Sequence, residues 1–178
     1  HLLCDVAKHN TNKSLPRLIF HGEQFQNTEP WAQMINLVGL NCSRDQFIGA
    51  LEAAAPANKC RILIIIDALN EGEGKRLWFN FLPGILTVLA RSQWLGLCVS
   101  IRSDYEKHII PATLDETRIV RVEHIGFGDL AYDASVKFFN YFRIVPSTPV
   151  LLPEFDNPLF LMLFCKSMSN AGLSRVPS

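Results

Sequence analysis

The residues with the clearest chemical potential stand where two aliphatic runs end. Ile62 to Ile66 runs into Asp67, and Glu71 follows four residues later with Asn70 beside it. Leu97 to Ile101 runs into Arg102 and Ser103. An acid at the end of a buried strand, a second carboxylate close behind it and an Arg ending another strand suit magnesium-nucleotide chemistry. Asp67 would hold the cation through water, Glu71 would orient or deprotonate an attacking water, and Arg102 would sense or neutralise a terminal phosphate. Each also has an ordinary reading. An Asp at a strand end often starts a turn, Asn70 to Gly74 (NEGEG) is a good plain loop, and an Arg at a strand end is usually solvated or ion-paired. Together they are more informative than any one alone.

These residues need strands to carry them. RILIIID, residues 61 to 67, is a short continuous aliphatic run, the pattern of a central parallel strand covered on both faces. GLCVSIR (96 to 102) reads as a second buried strand. PRLIFHGEQF (16 to 25) reads as a strand running into a loop, and RIVRVEHIGF (118 to 127) as a fourth strand with partial alternation.

Helical spacing fills the gaps. Glu29, Pro30 and Trp31 open a helix whose apolar positions are Trp31, Met34, Ile35 and Val38, closed by Gly39. Ser43 caps a second that runs to about Ala55 and is stopped by Pro56. Lys75 to Arg91 carries Leu77, Trp78, Leu82, Ile85 and Leu89 on one face, and Pro83 with Gly84 predicts a kink or two short helices. A helical turn is expected near Asp104 to His108, and a helix capped by Asp129 to about Phe142. A Pro-rich link (Pro146, Pro149, Pro153) then leads to a last helix from about Pro158 to Ala171. Leu2, Leu3, Val6 and Ala7 fall near one face of a first helix. Strands alternating with helices at this spacing predict an α/β fold with a mainly parallel sheet, whose ligands bind at the carboxyl ends of the strands.

Composition narrows the function classes. Among 178 residues, 17 Lys+Arg balance 17 Asp+Glu, which removes the electrostatic footprint of a protein that lives on nucleic acid or an anionic membrane. At 48% hydrophobic the chain can build a sizeable core, which excludes disorder as its main state. The apolar stretch Leu159 to Cys165 falls far short of the roughly 20 residues of a membrane span, and a cytoplasmic location is expected. Cys4, Cys42, Cys60, Cys98 and Cys165 are odd in number and set in apolar surroundings, as reduced core thiols are. There is no CxxC or HExxH, and His21, His108 and His124 stand apart without metal-like spacing. Trp31, Trp78 and Trp94 read as packing residues, as does the cluster Phe138, Phe139, Tyr141 and Phe142.

At this level the chain resembles a known family. RILIIIDALNE resembles the extended Walker B segment of STAND-class P-loop ATPases, related to the NACHT pattern, and VSIRSDYE resembles their sensor-1 strand. FDNPLFLMLFCKSM resembles the Asn-Pro-Leu segment that opens the small helical domain, and HLLCDVAKH the helix that follows the Walker A motif. HGEQFQNTEPWAQMINLVGL and the helix after it resemble prokaryotic antiviral (AVAST-type) STAND ATPases. The resemblance implies a P-loop NTPase-type three-layer parallel sheet lacking its P-loop strand over residues 1 to 145, then a linker and the start of a helical subdomain over 146 to 178. It implies ATP and Mg2+ as ligands, Asp67 as the magnesium acid, and Glu71 as the catalytic acid with Asn70 beside it where many relatives carry Asp. It also makes Arg102 sensor 1 and sets Pro158 by the adenine. The activity implied is an ATP-driven signalling switch in antiviral defence that self-associates in the full-length protein. A phage or other trigger protein would be met through regions outside this chain, with no membrane and no direct nucleic-acid contact.

One departure is large. The phosphate-holding pattern GxxxxGK[ST] is absent; at Gly74-Lys75 the earlier glycine position is Leu69 and the following residue is Arg76. The expectation is truncation just upstream of His1. Loss of the P-loop strand would leave open edges in the sheet, and the isolated chain would neither bind ATP with normal affinity nor hydrolyse it. The alternative is a degenerate, non-hydrolysing α/β scaffold or interaction module, and the gene sequence before His1 decides between them. A AAA-type helicase or DNA-remodelling ATPase shares the Walker B logic but fits poorly with zero net charge.

Overall fold

A computed structural model describes residues 3, 17–114, 119–145 and 153–175. Apart from Leu3, the expected first helix lies outside the described residues, as does the link through Pro146 and Pro149. The chain divides into two compact units, His1–Thr117 and Arg118–Ser178.

The first unit is built on a parallel sheet of β1 (Arg17–His21), β2 (Ile62–Asp67) and β3 (Leu95–Val99), with β2 in the middle. Its register pairs Phe20 with Ile66 and His21 with Asp67 on one side, and Ile66 with Val99 on the other. All of β2 except Leu63 is buried, which is why its sequence is a continuous aliphatic run rather than an alternation. Between the strands come α1 (Pro30–Leu37), α2 (Arg44–Ala57) and α3 (Gly74–Leu89), and α4 (Ser103–Ile109) follows β3. The α/β architecture read from the sequence is therefore present.

Local chemistry explains where the helices begin. The Glu29 carboxylate accepts the Ala32 amide at 2.7 Å and Pro30 fills the first position of α1, where a missing N–H costs nothing. Ser43 and Gln46 form a reciprocal capping box on α2, each side chain accepting the other's amide.

Two helices run past the prolines expected to break them. Pro56 sits inside the last turn of α2, and Asn58 takes over the exit by donating its side-chain amide to the Ala54 carbonyl at 2.8 Å. Near a helix end the bond that proline removes is easily replaced. Pro83 lies within α3, which is one helix and not two. The carbonyl it leaves without a donor belongs to Phe79, in the exposed stretch Phe79 and Asn80, where water can serve it.

The core of this unit joins Phe20, Phe25, Trp31, Met34, Phe47 and Trp78 to the inner residues of β2. Trp78 is fully buried, with the Phe25 ring edge-on at 4.9 Å.

In the second unit, residues 119–126 form no strand, against the sequence expectation. Val120, Val122 and Ile125 are 89%, 87% and 73% exposed. Alternating β-branched residues supply propensity, but a strand exists only with a ladder partner, and none of the described residues pairs with this segment. Asp129 also departs from expectation. It falls in a 3-10 turn, Gly128–Leu130, and α5 (Ala131–Phe142) starts behind Leu130 with no side-chain cap.

The last helix, α6 (Pro158–Asn170), begins as expected. The Asn157 side chain accepts the amides of Leu159 and Phe160, and Pro158 occupies the first turn. Phe139, Ile144, Phe155, Leu161, Cys165 and Met168 form this unit's core. The aromatic cluster of α5 splits accordingly: Phe139 is buried, Phe138 and Phe142 are half-buried and Tyr141 is exposed. Gly126 is required where it stands, with φ +98° and a would-be Cβ 2.4 Å from the Asp156 carbonyl oxygen. Among the described residues no helix is long and apolar enough to cross a membrane.

Candidate functional site at the strand exits

The carboxyl ends of β2 and β3 are joined more tightly than the sheet alone requires. The Ser100 amide donates to the Ile66 carbonyl at 3.1 Å and the Leu69 amide to the Ser100 carbonyl at 2.9 Å, so backbone pairing continues beyond both strands. The Ser100 hydroxyl accepts the Ala68 amide at 2.7 Å and donates to Asp67 Oδ1. Asp67 is 7% exposed, one of few buried polar side chains among the described residues. A buried carboxylate needs such partners, because desolvation without them costs several kcal/mol, on the order of 2–7 even for a neutral polar group.

The turn after β2 is held from two sides. Leu69 is fully buried and anchors it from below, while the Glu71 amide closes it on the Ala68 carbonyl at 3.0 Å. On the β3 side, Asn70 Oδ1 accepts the Arg102 amide at 3.1 Å. On the β1 side there is no room for a side chain at Gly22, whose would-be Cβ lies 2.0 Å from the Ala68 carbonyl oxygen. Gly72, with φ +60°, packs its backbone on Glu23. Ala68 itself adopts φ 58°, a left-handed conformation that costs an L residue about 1–2 kcal/mol and persists only where its surroundings impose it.

Asp67, Asn70, Glu71 and Arg102 thus share one edge of the sheet. Asp67 is buried, Asn70 and Glu71 are half-buried and Arg102 is exposed. It is the backbone amide of Arg102, and not its guanidinium, that Asn70 holds. Pro158 belongs to the second unit, at the start of α6. Ser100 was missed in the sequence. Its only signal is a lone hydroxyl near the end of the run LCVSI, two positions before Arg102.

The donor set could hold a cation in one mode only. Among the described residues no three His, Cys, Asp or Glu side chains come together, so there is no all-protein metal cage. Magnesium that travels with phosphates needs less: one or two carboxylates, the remaining positions being water and phosphate oxygens. Asp67 held by Ser100, with Glu71 four residues on, fits that mode. The phosphates themselves have no GxxxxGK[ST] cradle in residues 1–178.

The site also marks its neighbour. Cys98, on β3, holds its proton above the ordinary thiol range, first because burial disfavours the thiolate and second because the Asp67 charge repels it. Burial alone raises Cys165. A folded value above the unfolded one means that the stabilising contribution is complete below the unfolded thiol value and is lost as pH rises through the folded one. Denaturant midpoints measured above about pH 8.5 are expected to fall with pH, and to fall less steeply in Cys98→Ser. Equal slopes in both proteins would show that Cys98 has no part in the alkaline loss.

No family model, no curated protein and no solved structure matches the chain. Its class is therefore that of an α/β domain with a three-stranded parallel sheet.

Proposed function

We propose that residues 17–114 carry the metal-holding and sensing part of an ATP-binding and hydrolysing switch domain with a P-loop NTPase-type sheet, of the STAND class that the segments around Asp67 and Arg102 resemble. In this reading the full-length protein acts in antiviral defence and self-associates in response to nucleotide. The observation that supports it best is the tie between Asp67, at the exit of the central strand, and Ser100 at the neighbouring exit, with Asn70 and Arg102 joined beside it. Open parallel sheets bind ligands at this end of their strands.

Asp67 and waters would hold Mg2+, which when bound would offset phosphate charge. Glu71 orients a water and accepts its proton, and Arg102, exposed at the β3 exit, senses the terminal phosphate. The place of Pro158 beside the adenine rests on the resemblance alone. The trigger, a phage or other protein, would be met through regions outside this chain.

The reading requires a phosphate-holding segment, so its test takes the longer polypeptide that bears one. ATP hydrolysis there is expected to depend on Mg2+, to be lost in Asp67→Ala and to fall by about 100-fold or more in Glu71→Gln. The 178-residue chain by itself is expected to show no tight Mg-ATP binding. Turnover that survives Asp67→Ala would overturn the metal assignment, and intact turnover in Glu71→Gln would sink the catalytic one. A longer polypeptide that binds no nucleotide would leave the interaction scaffold as the better account.

A further inference from the structure

Two side chains outside the proposed metal and water chemistry lock the strand exits together. Just beyond β3, the Ser100 hydroxyl reaches across to the Asp67 carboxylate and the Ala68 amide. From the turn after β2, Asn70 reaches back to the Arg102 amide. The two ties run in opposite directions, so each exit holds the functional residue of the other. We propose that Ser100 and Asn70 are positioning residues of this site: Ser100 orients the Asp67 carboxylate for a divalent cation, and Asn70 fixes the backbone from which Arg102 projects. The proposal rests on the metal-holding reading of Asp67 and deepens it.

The physical case starts from the torsion that turns a carboxylate, which is broad and roughly two-fold, so the group has no preferred plane of its own. A hydrogen bond to the charged oxygen is about twice as strong as a neutral one and supplies that plane. With about four acceptor directions on its two oxygens, the carboxylate is oriented but not used up by its bond from Ser100. Ser100 cannot rotate away freely, because its oxygen also accepts the Ala68 amide, and Ala68 sits in a conformation that its neighbours must enforce. On the other side, the last free backbone donor before α4 is the Arg102 amide, and Asn70 takes it. Displacing Arg102 therefore pulls on the turn that carries Glu71.

The test uses the longer polypeptide that bears the phosphate-holding segment, loaded with ATP, and Mn2+ as the probe, an oxygen-seeking divalent ion whose paramagnetism broadens nearby amide resonances. Broadening is expected at Asp67 and Ala68 and lost in Asp67→Asn. Outer hydrogen bonds to metal ligands are commonly worth 10–100-fold in affinity, so Ser100→Ala is expected to raise the half-saturating Mn2+ concentration about tenfold or more. Ser100→Thr, which keeps the hydroxyl, should restore it to within about twofold. Should the alanine variant fail to fold, Ser100→Cys keeps the volume, weakens the donor and should fall between the two.

Amide hydrogen exchange reads the second tie without any ion. Asn70→Ala should speed exchange at Arg102 about tenfold or more while leaving Mn2+ affinity within about twofold. Unchanged Mn2+ affinity in Ser100→Ala, with binding still lost in Asp67→Asn, would overturn the role of Ser100 and leave the metal reading standing. Exchange at Arg102 that ignores Asn70→Ala would overturn the role of Asn70. No Asp67-dependent broadening in the unaltered, ATP-loaded polypeptide would remove the metal reading and this inference together.

Discussion

Alanine in place of Gly22 is expected to cost the first unit about 3 kcal/mol or more, the upper end of what overpacking does, and to lower its melting temperature by about 10 °C. The added Cβ would stand 2.0 Å from the Ala68 oxygen, 2.8 Å from the Ala68 carbonyl carbon and 3.3 Å from the Leu69 Cα. All three are backbone atoms, so no side chain can swing aside. Nor can the strands part locally, since His21 and Asp67 are paired in register one residue earlier. The turn must move instead, and with it Ala68, whose amide is bonded to Ser100. Faster hydrogen exchange at Ala68 should therefore accompany the lost stability. Gly49→Ala is the control: its Cβ meets nothing within 4 Å in the middle of α2, and removing a helix-interior glycine should stabilise by about 0.5–1 kcal/mol. If Gly22→Ala melted like the unaltered protein, the close approach of β1 to the turn would be refuted.

The second large effect lies in the core behind the site. Trp78→Ala is expected to destabilise by about 3–5 kcal/mol, a substantial part of the 5–15 kcal/mol that holds an ordinary domain together. Its indole is fully buried against the edge of Phe25. Its Nε1 donates to no acceptor among the described residues, so the ring contributes packing and carries an unreturned desolvation cost. Trp78→Phe should then lose volume but no hydrogen bond, and cost less than about 1.5 kcal/mol. Denaturant unfolding of both variants separates the two contributions. A Phe variant as unstable as the Ala variant would mean that the indole N–H has an acceptor after all.

Much of this architecture is legible in local pattern, and the reason is burial. A strand covered on both faces has to be apolar at every position, so ILIII announces β2, and the first polar residue after it marks the exit. The aliphatic run also gave β3, and with it the neighbourhood of Arg102, but that strand spans Leu95–Val99, not 96 to 102, and at the sheet edge only Leu95 is buried. Two helix starts were legible because Glu29 and Ser43 act on amides three residues away, whereas Asp129 caps nothing and the cap of Asn157 on the last helix was not read.

What escaped local reading depends on partners distant in the chain. Residues 119–126 have the residue types of a strand and no strand to pair with. Pro56 and Pro83 interrupt a pattern, yet the helices continue, because Pro56 falls in the last turn of its helix and the carbonyl that Pro83 leaves without a donor lies in an exposed stretch. Asp67 could be picked out as a candidate acid from its own segment alone. That Ser100 holds it, that Asn70 is tied to Arg102, and that Gly22 must be glycine follow from a register in which residues 33, 32 and 46 positions apart come within contact distance. Sequence periodicity reports which face of an element is buried. Only the packed sheet decides which side chains meet at its edge, because that is set by strand order and register, quantities no single segment contains.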